Sequence, residues 1–381
     1  ALTDVIIPTG TPYQPVIGAS AVCDNITIDL GATLTISGSN ALTVGGDWSN
    51  NGTFVANTSS VIFNNTSLDQ TIGGTVTPQV FYSISLVKSI SNLMLGKPIT
   101  VGGTLIMTSG NIDASSNSIT LGTSTAATGT LNYTSGTIIG CFTRWISATG
   151  TAIKFPIGTA TYNNMAELNF TNITSGSLTA CFTSTDPGWN NASTITDGAN
   201  EIDRQFPEGY WTLTPANSLA SSNYSLKLTG NGFTTYTENN SIRIVQRTGG
   251  LADWALPGTH DTTGYVSPTA QRTGLNVFGQ FAHARVKPCG LLANVTTTNA
   301  TCSNNDGTIT VSPVVVTNYD FSIDGINFPN TTGKFTGLAP GSYTVYMRDH
   351  ILTSCVAQFG PYQITQPVFA LTSSVVGATC S

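Results

Sequence analysis

The 381-residue chain is predicted to be all-β: a parallel β-solenoid over 1–140, a β-sandwich over 141–288 and an immunoglobulin-like module over 289–367. Three observations predict it. No stretch of a dozen residues spaces its apolar positions by 3 and 4, and Gly or Asn interrupts almost every window, which leaves helices no place to form. Short alternating runs such as Ile26-Thr27-Ile28 and Val61-Ile62-Phe63 each offer one apolar face, the pattern of half-buried strands. Finally, phrases recur at fixed steps, which marks stacked or tandem architecture.

In the first block, Thr33-Leu34-Thr35-Ile36 and Leu42-Thr43-Val44 continue the alternation between turns rich in Gly, Asn and Ser. Leu42-Thr43-Val44-Gly45-Gly46 is echoed by Ile99-Thr100-Val101-Gly102-Gly103. Thr104-Leu105-Ile106-Met107-Thr108-Ser109-Gly110 is echoed by Thr130-Leu131-Asn132-Tyr133-Thr134-Ser135-Gly136, an offset of 26 residues (104 to 130). A solenoid coil takes about 20 to 30 residues, so this offset reads as one coil.

From 141 the aromatics rise, strands lengthen and Pro enters turns, as in Phe155-Pro156-Ile157-Gly158. The runs Ala166 to Phe170, Ser177 to Phe182, Tyr210 to Leu213, Tyr224 to Leu228 and Ile242 to Val245 predict the strands of a sandwich. The Gly- and Asn-rich stretch Asp186 to Asn200 is expected to be a mobile loop, and Lys287-Pro288-Cys289-Gly290 a linker. In the third block, Ser342 to Arg348 places Tyr343, Val345 and Met347 on one face, while Asp306-Gly307 and Asp324-Gly325 read as hairpin turns. Ala300-Thr301-Cys302-Ser303 returns as Ala378-Thr379-Cys380-Ser381, 78 residues on (302 to 380), so 368–381 is expected to begin a second module within a longer array.

Composition narrows function. Only 8% of residues are charged and the net charge is −6 with 13 Lys and Arg, without a basic run, which argues against nucleic acid and a basic membrane-binding face. No apolar run approaches the roughly 20 residues of a membrane span. The seven Cys form no CxxC pair. Their positions suggest two disulfides, Cys141–Cys181 and Cys302–Cys355, in an oxidising compartment, with Cys23 a buried free thiol and Cys289 unassigned. A bridge closing 53 residues (302 to 355) would contribute about 4 kcal/mol.

Catalysis has little to build on. The first block has no Glu, and its six Asp never fall at the i, i+2 spacing that puts two carboxylates on one strand face; His260, His283 and His350 are scattered and no GxSxG occurs. The expectation is a non-enzymatic protein without a cofactor, with a carbohydrate-binding or carbohydrate-cleaving surface protein as the alternative. Asp306, Asp320, Asp324 and Asp349 could attract calcium, but beside Gly the first and third read as turn formers, and no metal site is assigned. Trp48, Trp189 and Trp254 stand in Gly- or Asn-rich contexts, unlike Trp145 and Trp211, which read as core. Trp189 and Trp254 are the candidate glycan contacts.

The third block is also where a resemblance becomes specific. The order Cys302, Asp306-Gly307-Thr308-Ile309, Tyr319-Asp320-Phe321-Ser322-Ile323-Asp324-Gly325, Gly337-Leu338-Ala339-Pro340-Gly341-Ser342-Tyr343-Thr344-Val345, Asp349, Cys355 and Ile364-Thr365-Gln366-Pro367 resembles the SprB-type repeat of giant Bacteroidota surface adhesins, including those of gliding motility. It departs in the segment Asp349 to Cys355, longer than the usual short hairpin. The first block, through Asp47-Trp48-Ser49-Asn50-Asn51-Gly52 and Gln70-Thr71-Ile72-Gly73-Gly74, and the second, through Thr143-Arg144-Trp145 and Tyr210-Trp211-Thr212-Leu213, are similar to solenoid and sandwich segments of the same kind of protein. The resemblance implies an extracellular, cell-surface adhesin exported by type IX secretion. Its implied partners are a surface polysaccharide or solid substratum, the outer-membrane secretion and gliding machinery, and further copies in a filament. Asp261-Thr262-Thr263 resembles the O-glycosylation signal of that phylum, making Thr262 the candidate acceptor.

Overall fold

The computed structural model describes residues 2–367 except 151, 192, 199, 237–241, 251, 262–265, 288–289, 303, 316–317, 351–352 and 354. Cys289, Thr262 and the expected second module at 368–381 lie outside the described residues. Among those described every regular element is a strand, and the chain divides into two compact units, residues 1–286 and 287–381.

Unit 1 begins as a succession of short strands, three per coil, wound for about seven coils into a parallel solenoid. One face stacks Val5–Ile7, Ile26–Ile28, Trp48–Asn50 and Gln70–Gly74, then the second halves of Ser83–Leu95 and the middle of Thr104–Leu121, and finally Ile138–Ile146. The alternation seen in the sequence sends Ile28, Leu34, Val44, Phe63, Ile84, Leu105 and Ile112 into one column, each buried. Burying a Leu, Ile or Phe contributes about 1.5–3 kcal/mol, so the column is the solenoid's main source of stability. The 26-residue echo is indeed one coil: Thr104 pairs with Thr130 and Leu105 with Leu131. The Gly that ends each phrase is required, since Gly110 and Gly136 have φ of +87° and +99° and a Cβ on Gly136 would lie 1.9 Å from the Gly110 carbonyl oxygen. The other echo is not a stacked pair. Leu42–Val44 pairs with strands at 21–23 and 60–63 on one face, and Ile99–Val101 with strands at 79–81 and 119–121 on another.

The coils are tied at one corner by a ladder of Asp and Asn side chains. Asp4 Oδ1 accepts the Asn25 N–H (3.2 Å), Asn25 Oδ1 that of Asp47 (2.7 Å), and Asp47 Oδ1 that of Thr71 (2.7 Å); Asp69 and Asn111 serve Asn92 and Thr137 the same way. Each caps a strand of the next coil. Asp4, Asp47 and Asp69 are thereby used as structural acceptors.

Solenoid and sandwich are one body. The strand Ile138–Ile146 pairs in parallel with the preceding coil and, on its other side, antiparallel with Gly176–Thr183 of the sandwich. The expected boundary between 140 and 141 falls inside this strand. The sandwich sets Gly176–Thr183, Tyr210–Ala216, Gly279–Val286 and Arg243–Arg247 against a second antiparallel sheet of Ile153–Phe155, Ala166–Phe170, Tyr224–Thr229, Thr269–Leu275 and Thr259–Asp261. A single core runs from Ile26 through Phe142 and Phe155 to Trp211 and Phe281. All five strand runs expected for this block form strands, Ile242 alone lying just outside its strand.

Unit 2 is a small two-sheet module: Ala293–Thr298, Gly307–Pro313 and Lys334–Leu338 form one antiparallel sheet, and Tyr319–Ser322, Gly341–Asp349 and Val356–Ile364 the other. Val345 and Met347 are fully buried and Tyr343 packs beside them, as the alternation predicts. Gly325 has the positive φ (+73°) of a turn glycine. Gly307 does not: it begins a strand, and a Cβ there would collide with Ile364.

Candidate functional site

Four turns converge at one end of the sandwich: residues 172–174, 217–222, 248–250 and 276–278. They enclose two adjoining depressions of about 490 and 470 Å³ that share Ala220, Ser221 and Asn276. The loop between Thr269–Leu275 and Gly279–Val286 is fixed by its Val277 carbonyl, which accepts from Tyr224 Oη (2.6 Å) and from Gln246 Nε2. Phe278 lies stacked on Tyr224, ring centres 4.9 Å apart and planes 14° from parallel. Across the groove, the 172–174 turn is tied to its neighbour by paired backbone bonds between Thr174 and Ala220 and by Ser221 Oγ donating to the Asn172 carbonyl (2.7 Å). Among the described residues the lining contains amides, hydroxyls and apolar surface and not one ionisable side chain.

A row of threonines leads to it. Thr100, Thr120, Thr143, Thr179 and Thr214 pair in register from the solenoid into the sandwich, with Thr143 Oγ1 and Thr179 Oγ1 2.8 Å apart, and Thr214 lines the groove. Trp145, expected in the core, lies on this outer face and is half-buried, because Arg144 and Ile146 take the inward positions.

The candidate glycan contacts fare differently. Trp254 is 1% exposed; its Nε1 donates to the Gly188 carbonyl (2.8 Å) and its ring lies under the Arg247 guanidinium, 4.2 Å away. It cannot stack on a sugar. Trp189 is half-buried and packs against the same small core. Trp48 is likewise buried, between Phe54 and Phe81. The stretch expected to be a mobile loop is stitched here, Asn191 exchanging two hydrogen bonds with the Trp254 backbone. An aromatic beside Gly and Asn therefore pins its turn to the core, the ordinary outcome for so large an apolar side chain.

Of the two expected disulfides, Cys141–Cys181 is present. The second pairing is corrected. Cys302 is an exposed free thiol beside the Pro367 carbonyl, while Cys355 is buried and engaged in a disulfide elsewhere. The two cysteines stand at opposite ends of the nine-residue strand Val356–Ile364, about 30 Å apart at roughly 3.3 Å per residue, far beyond the reach of a disulfide. Cys23 is free and buried, its thiol pushed up to about 11 by burial and by Asp24, which makes it unreactive.

Several charged groups are engaged in structural contacts. In unit 2, Asp320 accepts from His350 Nδ1 (2.9 Å) and from Arg348 (3.0 and 3.1 Å), and these partners hold its carboxyl below the usual range. His350 and Asp320 border a 360 Å³ pocket. Asp324 is held low by Ser322 and by the N–H groups of Asn327 and Ile326, and Asp306 by Thr301, so both carboxylates are already satisfied by their own turns. In unit 1, burial alone would raise Asp197, but Arg272 and Arg243 keep it low. Among the described residues no three His, Cys, Asp or Glu are grouped to hold a metal ion, and no helix is long and apolar enough to cross a membrane.

Sequence reading missed the groove, because its walls come from four turns scattered over a hundred residues. Comparison with known proteins found no matching family model, no similar curated protein and no similar solved structure.

Proposed function

We propose that this chain is a non-enzymatic segment of an extracellular cell-surface adhesin of the SprB-repeat kind, exported by type IX secretion and serving attachment or gliding. One observation carries the reading: the strand Ile138–Ile146 belongs to both solenoid and sandwich and is stapled by Cys141–Cys181, so tension along the backbone crosses paired strands and a covalent bond without meeting a flexible joint. The Asp and Asn ladder adds coil-to-coil ties, and the Thr143–Thr179 hydroxyl pair adds one between the last coil and the sandwich. Reach and stiffness are what such a body supplies, and the solid or polysaccharide surface it meets is its partner.

The test is display. Beads bearing residues 1–367 are expected to attach to polysaccharide-coated surfaces and to hold under shear, and an in-frame deletion in the parent gene is expected to impair attachment or gliding of the cell. Beads that detach like bare ones from every coated and uncoated surface, together with a deletion strain that attaches normally, overturn the proposal.

A further inference from the structure

We infer that the groove at the sandwich end binds an uncharged polysaccharide chain. The inference rests on the adhesion reading and names the chemistry of its grip. Among the described residues the lining holds no Asp, Glu, Lys, Arg or His, so it offers no counter-charge to a uronate, sulfate or phosphate and nothing to pair a basic peptide. A neutral sugar needs none. Its pyranose ring shows an apolar face of C–H groups and a rim of hydroxyls, and the groove answers both.

Phe278 and the exposed Val277 supply the apolar floor. Around them lie the Asn276 amide, the Asn172 Nδ2 and the Ser222 and Thr248 hydroxyls, which make no side-chain hydrogen bond among the described residues and face sugar hydroxyls. The site is built before the ligand arrives: Tyr224 backs the Phe278 ring, the Val277 carbonyl is doubly bonded, and Asn172 Oδ1 holds the Ser222 N–H at 2.8 Å. Preformed walls spare the ordering cost that weakens binding by loops. Two adjoining depressions that share Ala220, Ser221 and Asn276, each within the roughly 300–1,000 Å³ of ligand pockets, suit several consecutive sugar residues of a chain in preference to a single monosaccharide.

The experiment titrates the full chain with a panel of hexasaccharides, cellohexaose, laminarihexaose, xylohexaose, mannohexaose and chitohexaose, against hexagalacturonate, by saturation-transfer NMR and calorimetry. At least one neutral hexasaccharide is expected to bind and hexagalacturonate to fail. Phe278→Ala should weaken binding about tenfold. Because truncating Phe278 could loosen the fold, Asn276→Asp and Val277→Asp place a charge on exposed positions and should weaken binding as much with the melting temperature unchanged, while Trp189→Ala should leave it intact. Binding of none of the neutral sugars, binding only of the charged one, or binding indifferent to Asn276→Asp and Val277→Asp overturns the inference. These outcomes are separable from those for adhesion: beads that still hold to coated surfaces after Asn276→Asp leave the adhesin standing and remove the groove, whereas sugar binding in solution without attachment does the reverse.

Discussion

Cys141 and Cys181 face one another directly across two antiparallel strands, Cα atoms 4.4 Å apart, and join the last coil of the solenoid to the first long strand of the sandwich. The bridge closes 40 residues, and the chain-entropy relation assigns such a loop about 4 kcal/mol. The double substitution Cys141→Ser, Cys181→Ser is expected to lower the stability of the first unit by up to about that amount, read by denaturant titration, and to make it indifferent to reductant. Equal stability with and without the bridge would show that the shared strand alone holds the two parts together.

Gly136→Ala should be among the most damaging small substitutions. It combines a left-handed backbone with a Cβ driven into the Gly110 carbonyl of the neighbouring coil. A cost above about 2 kcal/mol is expected, measured as a shift in denaturation midpoint. Gly38→Ala, at a positive φ with open space around it, should cost less and separates backbone strain from collision.

Lys88 is a fully buried lysine of the solenoid, its ammonium held by the carbonyls of Asn65 (2.8 Å) and Leu68 (3.1 Å) and by Gln70 Oε1 (3.0 Å). Lys88→Met strands three acceptors and is expected to cost about 1–3 kcal/mol at neutral pH. Burial pulls the Lys88 pKa down to about 8 against the opposing pull of Asp69 and Asp47. Between about 8 and the ordinary 10.5 the unfolded chain then holds a proton that the folded chain has released, so wild-type stability gains as pH rises through this window. The gap between wild type and Lys88→Met should widen accordingly. A gap constant from pH 7 to 10.5 contradicts the lowered pKa.

Asp320 makes the opposite prediction in the second unit. Its carboxyl is held low by the His350 hydrogen bond and by Arg348, so its contribution is complete above the ordinary 3.8 and fades as acid protonates it. Asp320→Asn should destabilise the module at neutral pH and flatten its loss of stability below about pH 4, monitored by Tyr fluorescence. An acid transition unchanged by the substitution would place that sensitivity elsewhere.

Much of this architecture was legible in the order of residues. Alternation marked the solenoid column and the sandwich strands, because a strand with one buried face must be apolar at every second position. The 26-residue phrase gave a coil length, since stacked coils repeat their turn chemistry, down to Gly110 and Gly136. The Asp and Asn preceding each strand of one face are turn and cap residues by type; which strand of the neighbouring coil each one caps was set by the stacking. Cys141 and Cys181 flanked one block closely enough for their pairing to be seen, and Cys23 read as a buried thiol.

Other features were decided only by tertiary structure. Cys302 and Cys355 bracket one module in sequence yet stand at opposite ends of the strand Val356–Ile364, because the chain around Cys302 packs beside Pro367, past that strand's far end. Trp254 sits among turn residues and is buried, since a turn folded onto the core carries its aromatic inward. The groove exists only where residues near 172, 220, 248 and 277 meet. The sequence by itself determined that the chain is all-β, coiled and then sheeted, because periodicity is local; which side chains remain free to touch another molecule depended on which turns came together, and that is a matter of packing.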